Sequence, residues 1–174
     1  MHLFLQHCNF QKLCDGTLED EISRLTQARI LPARAADILH RGQLTMLCQS
    51  NLLSLCKRAR NVWREQHFDR FIPYSALTRN PSLASQLEDY TLYVQGSIDL
   101  ILEDDNGKLW LFDYKTDRLR DEYSLSLRDQ MLADHADQLR IYADAVFELF
   151  GRRPDHVCIY SLSQGCTVDL TDAL

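Results

Sequence analysis

The sequence predicts an α/β domain in which helices flank a mixed central β-sheet, with a helical N-terminal segment ahead of it. Three observations support this fold class. Residues 1–60 show helical periodicity, two apolar runs around the turn sequence DDNG predict a β-hairpin, and a long helical segment separates that hairpin from another apolar strand. Helices followed by the order β-β-β-α-β are typical of an α/β domain with a mixed sheet.

Several short helices are predicted in the N-terminal segment. The first run, MHLFLQHC, opens inside a periodic segment, so we expect the chain to be part of a larger protein. Thr17–Asp20 resembles a capping box before EISRLTQARI. Pro32 suits a first helical turn and Gly42 the position after a helix, which brackets ARAADILHR. The next helix is predicted over QLTMLCQSNLLSLCKRA, with a break near Ser50.

Strand signals begin after residue 60. The run NVWREQHF alternates, which predicts one face with Val62, Arg64, Gln66 and Phe68 and the other with Trp63, Glu65 and His67. TRNPSLAS is typical of a loop. The later predicted elements are strands at about 89–103 and 108–115, a helix at about 134–150 ended by Gly151 and Pro154, a strand HVCIYSL and a partner strand TVDL.

Composition is that of an ordinary globular protein, with 45% apolar and 25% charged residues in 174. We expect one domain over residues 1–174, helical over 1–60 and with an α/β core over 61–174. No apolar run approaches the roughly 20 residues of a membrane span and no signal peptide is recognisable, so we expect a cytoplasmic location and no membrane partner. The six cysteines form no CxxC or zinc-like spacing, which favours free thiols.

The net charge of −6 argues against a chain whose whole surface binds nucleic acid. Basic residues occur in patches, which usually are solvated faces. The alternative interpretation is that one patch lines a local groove that binds nucleic acid. Charge alone does not decide between a solvated face and a nucleic-acid groove.

The turn of the DDNG hairpin decides whether its acids meet. A two-residue loop at Asn106-Gly107 would put Asp99 and Asp113 on different faces. A three-residue loop, with Asp104 opening a type I turn and Gly107 left-handed, would put Asp99 directly opposite Asp113, with Lys115 on the same face. We choose the second register.

Two facing carboxylates repel each other unless a proton or a cation lies between them. Oxygen ligands at that spacing suit Mg²⁺ or Mn²⁺, and a neighbouring lysine can orient water and offset phosphate charge, which together is phosphodiester hydrolysis chemistry. The alternative is a surface hairpin whose acids face water while Lys115 forms a weak ion pair.

These residues resemble a known family. Gly96-x-x-Asp99 followed by DYKTD is similar to motifs of the PD-(D/E)xK nucleases, and Gln138 to Tyr142 resembles the Q-x-x-x-Y helix of their RecB-like branch. The start, Met1-His2-x-x-x-Gln6, resembles the segment that opens the C-terminal nuclease domain of AddA-type ATP-dependent helicase/nuclease subunits, although the Gly-Thr of that segment is missing. The resemblance spans residues 1–142 and implies a restriction-endonuclease-like core.

The resemblance also implies roles for individual residues. His2, Asp99, Asp113 and the carbonyl of Tyr114 would hold Mg²⁺, for which Mn²⁺ can substitute, and Asp99, Asp113 and Lys115 would be catalytic. Gln138 and Tyr142, at i and i+4 on one helix face, would contact DNA. His7 is the alternative to His2, Glu65 is either a further acid of the site or an ordinary strand residue, and His40, His67, His135 and His156 are interpreted as bystanders.

The implied function is Mg²⁺-dependent hydrolysis of DNA, expected to be single-stranded, as the nuclease domain of an AddA-type helicase–nuclease in double-strand-break repair and recombination, with an AddB-type partner. No ATP-binding G-x-x-x-x-G-K-[ST] motif occurs in the sequence. Two other functions stay open: a catalytically idle relative that binds DNA or a partner, and a different nuclease of the same superfamily. A Cas4-like member is disfavoured because the cysteine spacing does not suit an Fe–S cluster.

Overall fold

The computed structural model describes residues 1–13, 18–78, 80–120 and 125–174. Within these ranges the chain forms helices and strands in the following order: α1 His2–His7, α2 Leu18–Gln27, α3 Ala33–Asp37, α4 Arg41–Cys48, α5 Asn51–Arg58, β1 Asn61–Pro73, α6 Tyr74–Leu77, α7 Pro81–Gln86, β2 Thr91–Glu103, β3 Leu109–Lys115, α8 Leu127–Phe150, β4 His156–Ser161 and β5 Cys166–Asp169. A short 3₁₀ turn, Thr171–Ala173, follows.

The five strands form one mixed sheet in the order β1-β2-β3-β4-β5. Neighbouring strands are antiparallel except β3 and β4, which are parallel and are connected through α8. A parallel pair needs a long crossover, and a helix is its usual form. The predicted fold class, a mixed sheet flanked by helices behind a helical N-terminal segment, is confirmed.

Two apolar layers cover the two faces of the sheet. We call the first the N-terminal layer, in which side chains of α1–α5 pack on Leu100, Leu102, Phe112, Tyr114 and Tyr160. The second is the α8 layer, in which Met131, Leu139 and Val146 pack on Ile101, Leu111 and Ile159. The central strands β3 and β4 are therefore covered on both sides, which explains their nearly continuous apolar sequence.

The outer ribbon of β1 and β2 exchanges its faces at one point. Leu100 packs in the N-terminal layer, but Ile98, which simple alternation would place with it, packs in the α8 layer. Between the pairs Arg64↔Leu100 and Gln66↔Ile98 lies Glu65, whose φ of 47° is left-handed. That conformation is uncommon for a residue other than glycine, and here it coincides with the exchange.

The predicted single alternation along NVWREQHF is therefore wrong beyond Arg64. Arg64 donates hydrogen bonds to the carbonyls of Leu5, Gln6 and Cys8 at 2.6–3.3 Å, on the side of α1. Phe68 instead packs in the α8 layer. Alternation of residue types along the strand carries no sign of the local backbone change at Glu65.

Several helix boundaries differ from the predicted ones. Gly42 lies inside α4 rather than after a helix, because α3 already ends at Asp37. The predicted loop TRNPSLAS contains most of α7, since Asn80 accepts hydrogen bonds from the amides of Ser82 and Leu83 and caps the helix. The long helix α8 begins at Leu127, after the cap Ser126, rather than at about 134. The predicted break near Ser50 is confirmed, because Ser50 caps α5.

Three further expectations concern the capping box, the cysteines and membrane-spanning helices. The predicted capping box begins at Thr17, which lies outside the described residues, as does Cys14. None of the five cysteines within the described ranges forms a disulfide. None of the described helices combines the length and the apolarity needed to cross a membrane.

Candidate active site

The DDNG turn has the conformation that the three-residue loop requires. The amide of Gly107 donates to the carbonyl of Asp104 at 3.1 Å, and Gly107 has a φ of 79°. The Asp104 carboxylate accepts hydrogen bonds from the amides of Asn106 and Lys108 and from the Trp110 indole, at 2.8–3.1 Å. Burial acts to raise the pKa of Asp104, but these hydrogen bonds outweigh it and lower the pKa. The buried Asp104 thus fixes the turn.

This turn sets the register of β2 against β3. The paired residues run from Glu103↔Leu109 to Leu100↔Phe112, so the next facing positions are Asp99 and Asp113. The chosen register is confirmed, and the alternative that separates the acids is wrong. Phe112 and Tyr114 pack in the N-terminal layer, so the residues that alternate with them point toward α8.

Asp99, Tyr114 and His2 meet at one end of the hairpin. The amide of Tyr114 donates to Oδ2 of Asp99 at 2.7 Å. Nε2 of His2 lies 3.0 Å from the Tyr114 carbonyl oxygen and 3.5 Å from the same Asp99 oxygen. The hydrogen bond with Asp99 raises the pKa of His2, although burial acts in the opposite direction. Helix α1 thus brings an imidazole to the site from 112 residues away in sequence.

Asp113 is the buried member of the acid pair, with a side chain only 4% exposed. Burial raises its pKa, and the nearby Lys115 ammonium opposes the shift. Nζ of Lys115 lies 2.7 Å from Oδ2 of Asp113. That contact is an ion pair without the angles of a hydrogen bond, and no described residue donates a hydrogen bond to this oxygen.

Helix α8 contributes Gln138 and Tyr142 on the face that meets the hairpin. Nζ of Lys115 donates to Oε1 of Gln138 at 2.8 Å, and Nε2 of Gln138 donates to the Tyr142 hydroxyl at 2.8 Å. Burial raises the pKa of Tyr142, and the negative charge of Asp113 adds to the effect. The two residues predicted to share one helix face do so, and Gln138 contacts Lys115 directly while Tyr142 acts through Gln138.

His135 lies near the site although its sequence position suggested a bystander. Its side chain is 16% exposed, its Nε2 is 3.5 Å from Oδ2 of Asp117, and its charge acts to lower the pKa of Asp113. The signal was its spacing, because residue 135 is on the same face of α8 as Gln138 and Tyr142. The other interpreted bystanders lie elsewhere: His40 caps α4, His156 stacks on Trp110, and His67 is exposed on β1.

The two alternative residues His7 and Glu65, and the arginines Arg120 and Arg140, are placed as follows. His7 is the exposed last residue of α1, whereas His2 at the other end of that helix contacts Asp99. Glu65 lies on β1 between the residues paired with Leu100 and Ile98, and its carboxylate accepts a hydrogen bond from the Ser97 hydroxyl at 2.8 Å. Arg120 and Arg140 form ion pairs with acids of α8, so their charge is partly balanced within the protein.

The donor set suits a divalent ion. One imidazole, two carboxylates and a backbone carbonyl are nitrogen and oxygen ligands of the kind that Mg²⁺ and Mn²⁺ accept. Oδ2 of Asp113, which is buried without a hydrogen bond from the described residues, is an oxygen that a cation would satisfy. In the present arrangement, however, the described part of the chain contains no preassembled group of three or more His, Cys, Asp or Glu side chains at metal-ligand spacing.

A comparison with models of protein families shows to which family the chain belongs. The model of the PD-(D/E)XK nuclease superfamily matches residues 1–165, which include His2, both acids, Lys115 and the Gln138–Tyr142 pair. The chain belongs to the PD-(D/E)XK nuclease superfamily. Nucleases of this superfamily generally use divalent metal ions, in agreement with the donor set of this member.

This PD-(D/E)XK protein is similar to bacterial proteins that are named as subunits of an ATP-dependent helicase/nuclease. The relative from Heliobacterium modesticaldum is 28% identical over 171 residues, covering 95% of this chain and 12% of the relative. One from Clostridium botulinum is 26% identical over 94% of this chain and 12% of the relative, and one from Anoxybacillus flavithermus is 25% identical over 98% and 13%. The chain therefore spans about an eighth of the length of these curated relatives.

A solved structure, the crystal structure of SSO0001, also matches. It is 22% identical to this chain, with a TM-score of 0.34, and the match covers 91% of this chain and 59% of that one. Similarity at this level supports no structural argument.

Proposed function

We propose that this chain is a metal-dependent deoxyribonuclease that hydrolyses phosphodiester bonds, with Mg²⁺ as the metal and Mn²⁺ as a substitute. The observation that carries the proposal is the pair of facing acids, Asp99 and Asp113, with the Lys115 ammonium 2.7 Å from the buried one. A nuclease family supplies the reaction class. The buried carboxylate, whose pKa is raised, is a costly feature for a hairpin that only needs to be stable.

The residues of the site have distinct roles in this proposal. His2, Asp99, Asp113 and the Tyr114 carbonyl would hold the ion, which would supply Lewis-acid stabilisation of the charge that develops on the phosphate. With a metal held by Asp113, the Lys115 ammonium would orient the attacking water and offset negative charge. Gln138 holds the ammonium at the site through a hydrogen bond of 2.8 Å.

The substrate and setting are also part of the proposal. We infer that the substrate is single-stranded DNA, contacted by Gln138 and Tyr142, and that the cut strand serves double-strand-break repair and recombination. The named relatives are helicase/nuclease subunits roughly eight times longer than this chain, which supports a place for it as the nuclease domain, residues 1–174, of an AddA-type protein in the cytoplasm. An AddB-type protein is the proposed partner of that assembly.

The test is cleavage of end-labelled single-stranded DNA by the 174-residue chain with Mg²⁺ or Mn²⁺. We expect Lys115→Ala to lower the cleavage rate about 10²–10³-fold, the usual effect of removing one donor that stabilises charge in the transition state. Lys108→Ala is the matched control, because Lys108 is an exposed lysine of the same hairpin. It should leave the rate within about twofold of the unmodified chain.

Two outcomes would contradict the enzymatic role. Equal cleavage by the unmodified chain and by Lys115→Ala would remove Lys115 from the mechanism. No cleavage by the unmodified chain at high concentration with either metal, together with retained binding of the DNA, would identify a catalytically idle member of the family.

A further inference from the structure

The glycine that precedes Asp99 by three residues has a packing role that its backbone does not explain. Three glycines, Gly107, Gly151 and Gly165, have positive φ values, and Gly96 is not among them. Any residue can therefore adopt the Gly96 backbone. The reason for glycine must lie in the space where a side chain would be.

That space is filled by the ring of Phe68. Gly96 and Phe68 face each other on β2 and β1, and a Cβ atom at residue 96 would lie 2.9 Å from both Cε1 and Cζ of the ring. Carbon atoms in contact are normally about 3.5–4.0 Å apart, so the ring would have to move. Phe68 is only 8% exposed and belongs to the α8 layer, so it has little room to do so without displacing a neighbour.

The neighbour is Tyr142. The edge of one ring meets the face of the other, with ring centroids 5.6 Å apart and an interplanar angle of 76°. From Tyr142 the contacts continue through Gln138 to the Lys115 ammonium, in two hydrogen bonds of 2.8 Å each. The Phe68 ring thus contacts the Tyr142 ring from the side of the β1–β2 ribbon, and a displacement of Phe68 would act on Tyr142.

We propose that Gly96 and Phe68 are positioning residues for Lys115. The missing side chain at Gly96 admits the Phe68 ring, the ring holds Tyr142, and Tyr142 and Gln138 hold the ammonium beside Asp113. The effect on cleavage rests on the proposed nuclease function. The effect on the position of Gln138 does not, and it can be measured separately.

The first experiment is the substitution Gly96→Ala in the 174-residue chain. We expect the side-chain amide resonances of Gln138 to shift in NMR spectra and kcat to fall about 10–100-fold, because a misplacement of about 1 Å can have that effect on a catalytic group. Gly42→Ala adds the same methyl group where the nearest atoms, in His40, are 3.4–3.5 Å away. It should change neither readout. Unshifted Gln138 resonances in folded Gly96→Ala would overturn the proposal.

The second experiment separates positioning from general damage to the core. Phe68→Leu removes the ring atoms that the new methyl group would meet, so Gly96→Ala should lower kcat less than about threefold when introduced into Phe68→Leu. The same fold-loss in both backgrounds would contradict the proposed link.

Two controls separate the proposed positioning role from a failure to fold and from a failure of the proposed function. Phe68→Leu alone creates no clash, yet it should shift the Gln138 resonances; if it does not, the proposal fails even where Gly96→Ala does not fold. If the unmodified chain shows no cleavage, the proposed function fails, and the Gln138 resonances still decide the positioning role.

Discussion

The two faces of the β2–β3 hairpin differ although the same stretch of backbone builds them. Toward the N-terminal layer the hairpin presents Leu100, Leu102, Phe112 and Tyr114, all at most 4% exposed. Toward α8 the apolar residues Ile101 and Leu111 give way, at the end away from the turn, to the charged set of Asp99, Asp113 and Lys115.

The difference separates stability from chemistry. Apolar contacts on the N-terminal face stabilise the fold in proportion to the area removed from water and need no particular partner. On the α8 face the buried Asp113 carboxylate works against folding even with Lys115 beside it, because its pKa stays raised, and a bound cation would offset that cost. The hairpin tolerates the charged α8 face because its opposite face packs in the apolar N-terminal layer.

The largest effect should follow from damage to the apolar face. Phe112→Ala removes a fully buried ring, and we expect it to lower the free energy of unfolding by about 3–5 kcal/mol. Chemical denaturation followed by circular dichroism measures this loss. Phe112→Leu, which keeps most of the apolar volume, should lose clearly less; equal losses would mean that the face does not depend on packing.

The turn that sets both faces should be the next most sensitive point. Gly107 has a φ of 79°, so Gly107→Ala should destabilise the chain by about 1–2 kcal/mol. Gly107→Asn should be milder, because asparagine adopts the left-handed region more readily. Thermal unfolding compares the two variants. An alanine variant as stable as the asparagine variant would argue against a left-handed turn.

Removing charge from the α8 face should stabilise the protein, and the effect should depend on pH. Because the pKa of Asp113 is raised above 3.8 in the folded state, its contribution to stability is present below that value and is lost as pH rises through the folded pKa. We therefore expect Asp113→Asn to raise the melting temperature at about pH 7, by roughly 2–4 °C if the gain is about 1 kcal/mol.

The same variant should show no gain at about pH 3, where the carboxyl is protonated in both states. Asp105→Asn removes an equal charge from the exposed turn and should leave the melting temperature nearly unchanged at both pH values. A gain from Asp113→Asn that is equal at both pH values would exclude charge burial as its cause.

The smallest effect should come from His2 at the rim of the site. Its pKa is raised above 6.5 by Asp99, so the stability it contributes is present below that value and is lost as pH rises through the folded pKa. With the side chain 47% exposed, the contribution should be under about 1 kcal/mol. Comparison of His2→Asn with the unmodified chain by thermal unfolding at about pH 5.5 and about pH 8 measures it.

Binding of Mn²⁺ should show the opposite pH trend. A ligand imidazole must lose its proton, so affinity measured by calorimetry should rise between those pH values and rise less in His2→Asn. The same increase in both proteins would remove His2 from the proposed ligands.

The hairpin and the charged groups on it follow from local sequence alone. DDNG is a local signal: Asp104 and Gly107 fix the turn through contacts within five residues, and the turn then fixes Asp99 opposite Asp113 by counting. The alternation of β3 likewise assigned Tyr114 and Lys115 to opposite faces. The helix spacing of Gln138 and Tyr142 was sufficient to place both on one face, because helical geometry is periodic.

How these parts meet depends on the tertiary structure. Three contacts join segments far apart in the sequence: His2 with Asp99, Lys115 with Gln138, and Phe68 with Gly96. The exchange of faces at Glu65 is a local backbone change, but the residue types along the strand do not signal it. The physical reason is that turns and periodic elements are set by neighbouring residues. Contacts between elements depend on where the whole apolar core places each one, and no local pattern contains that information.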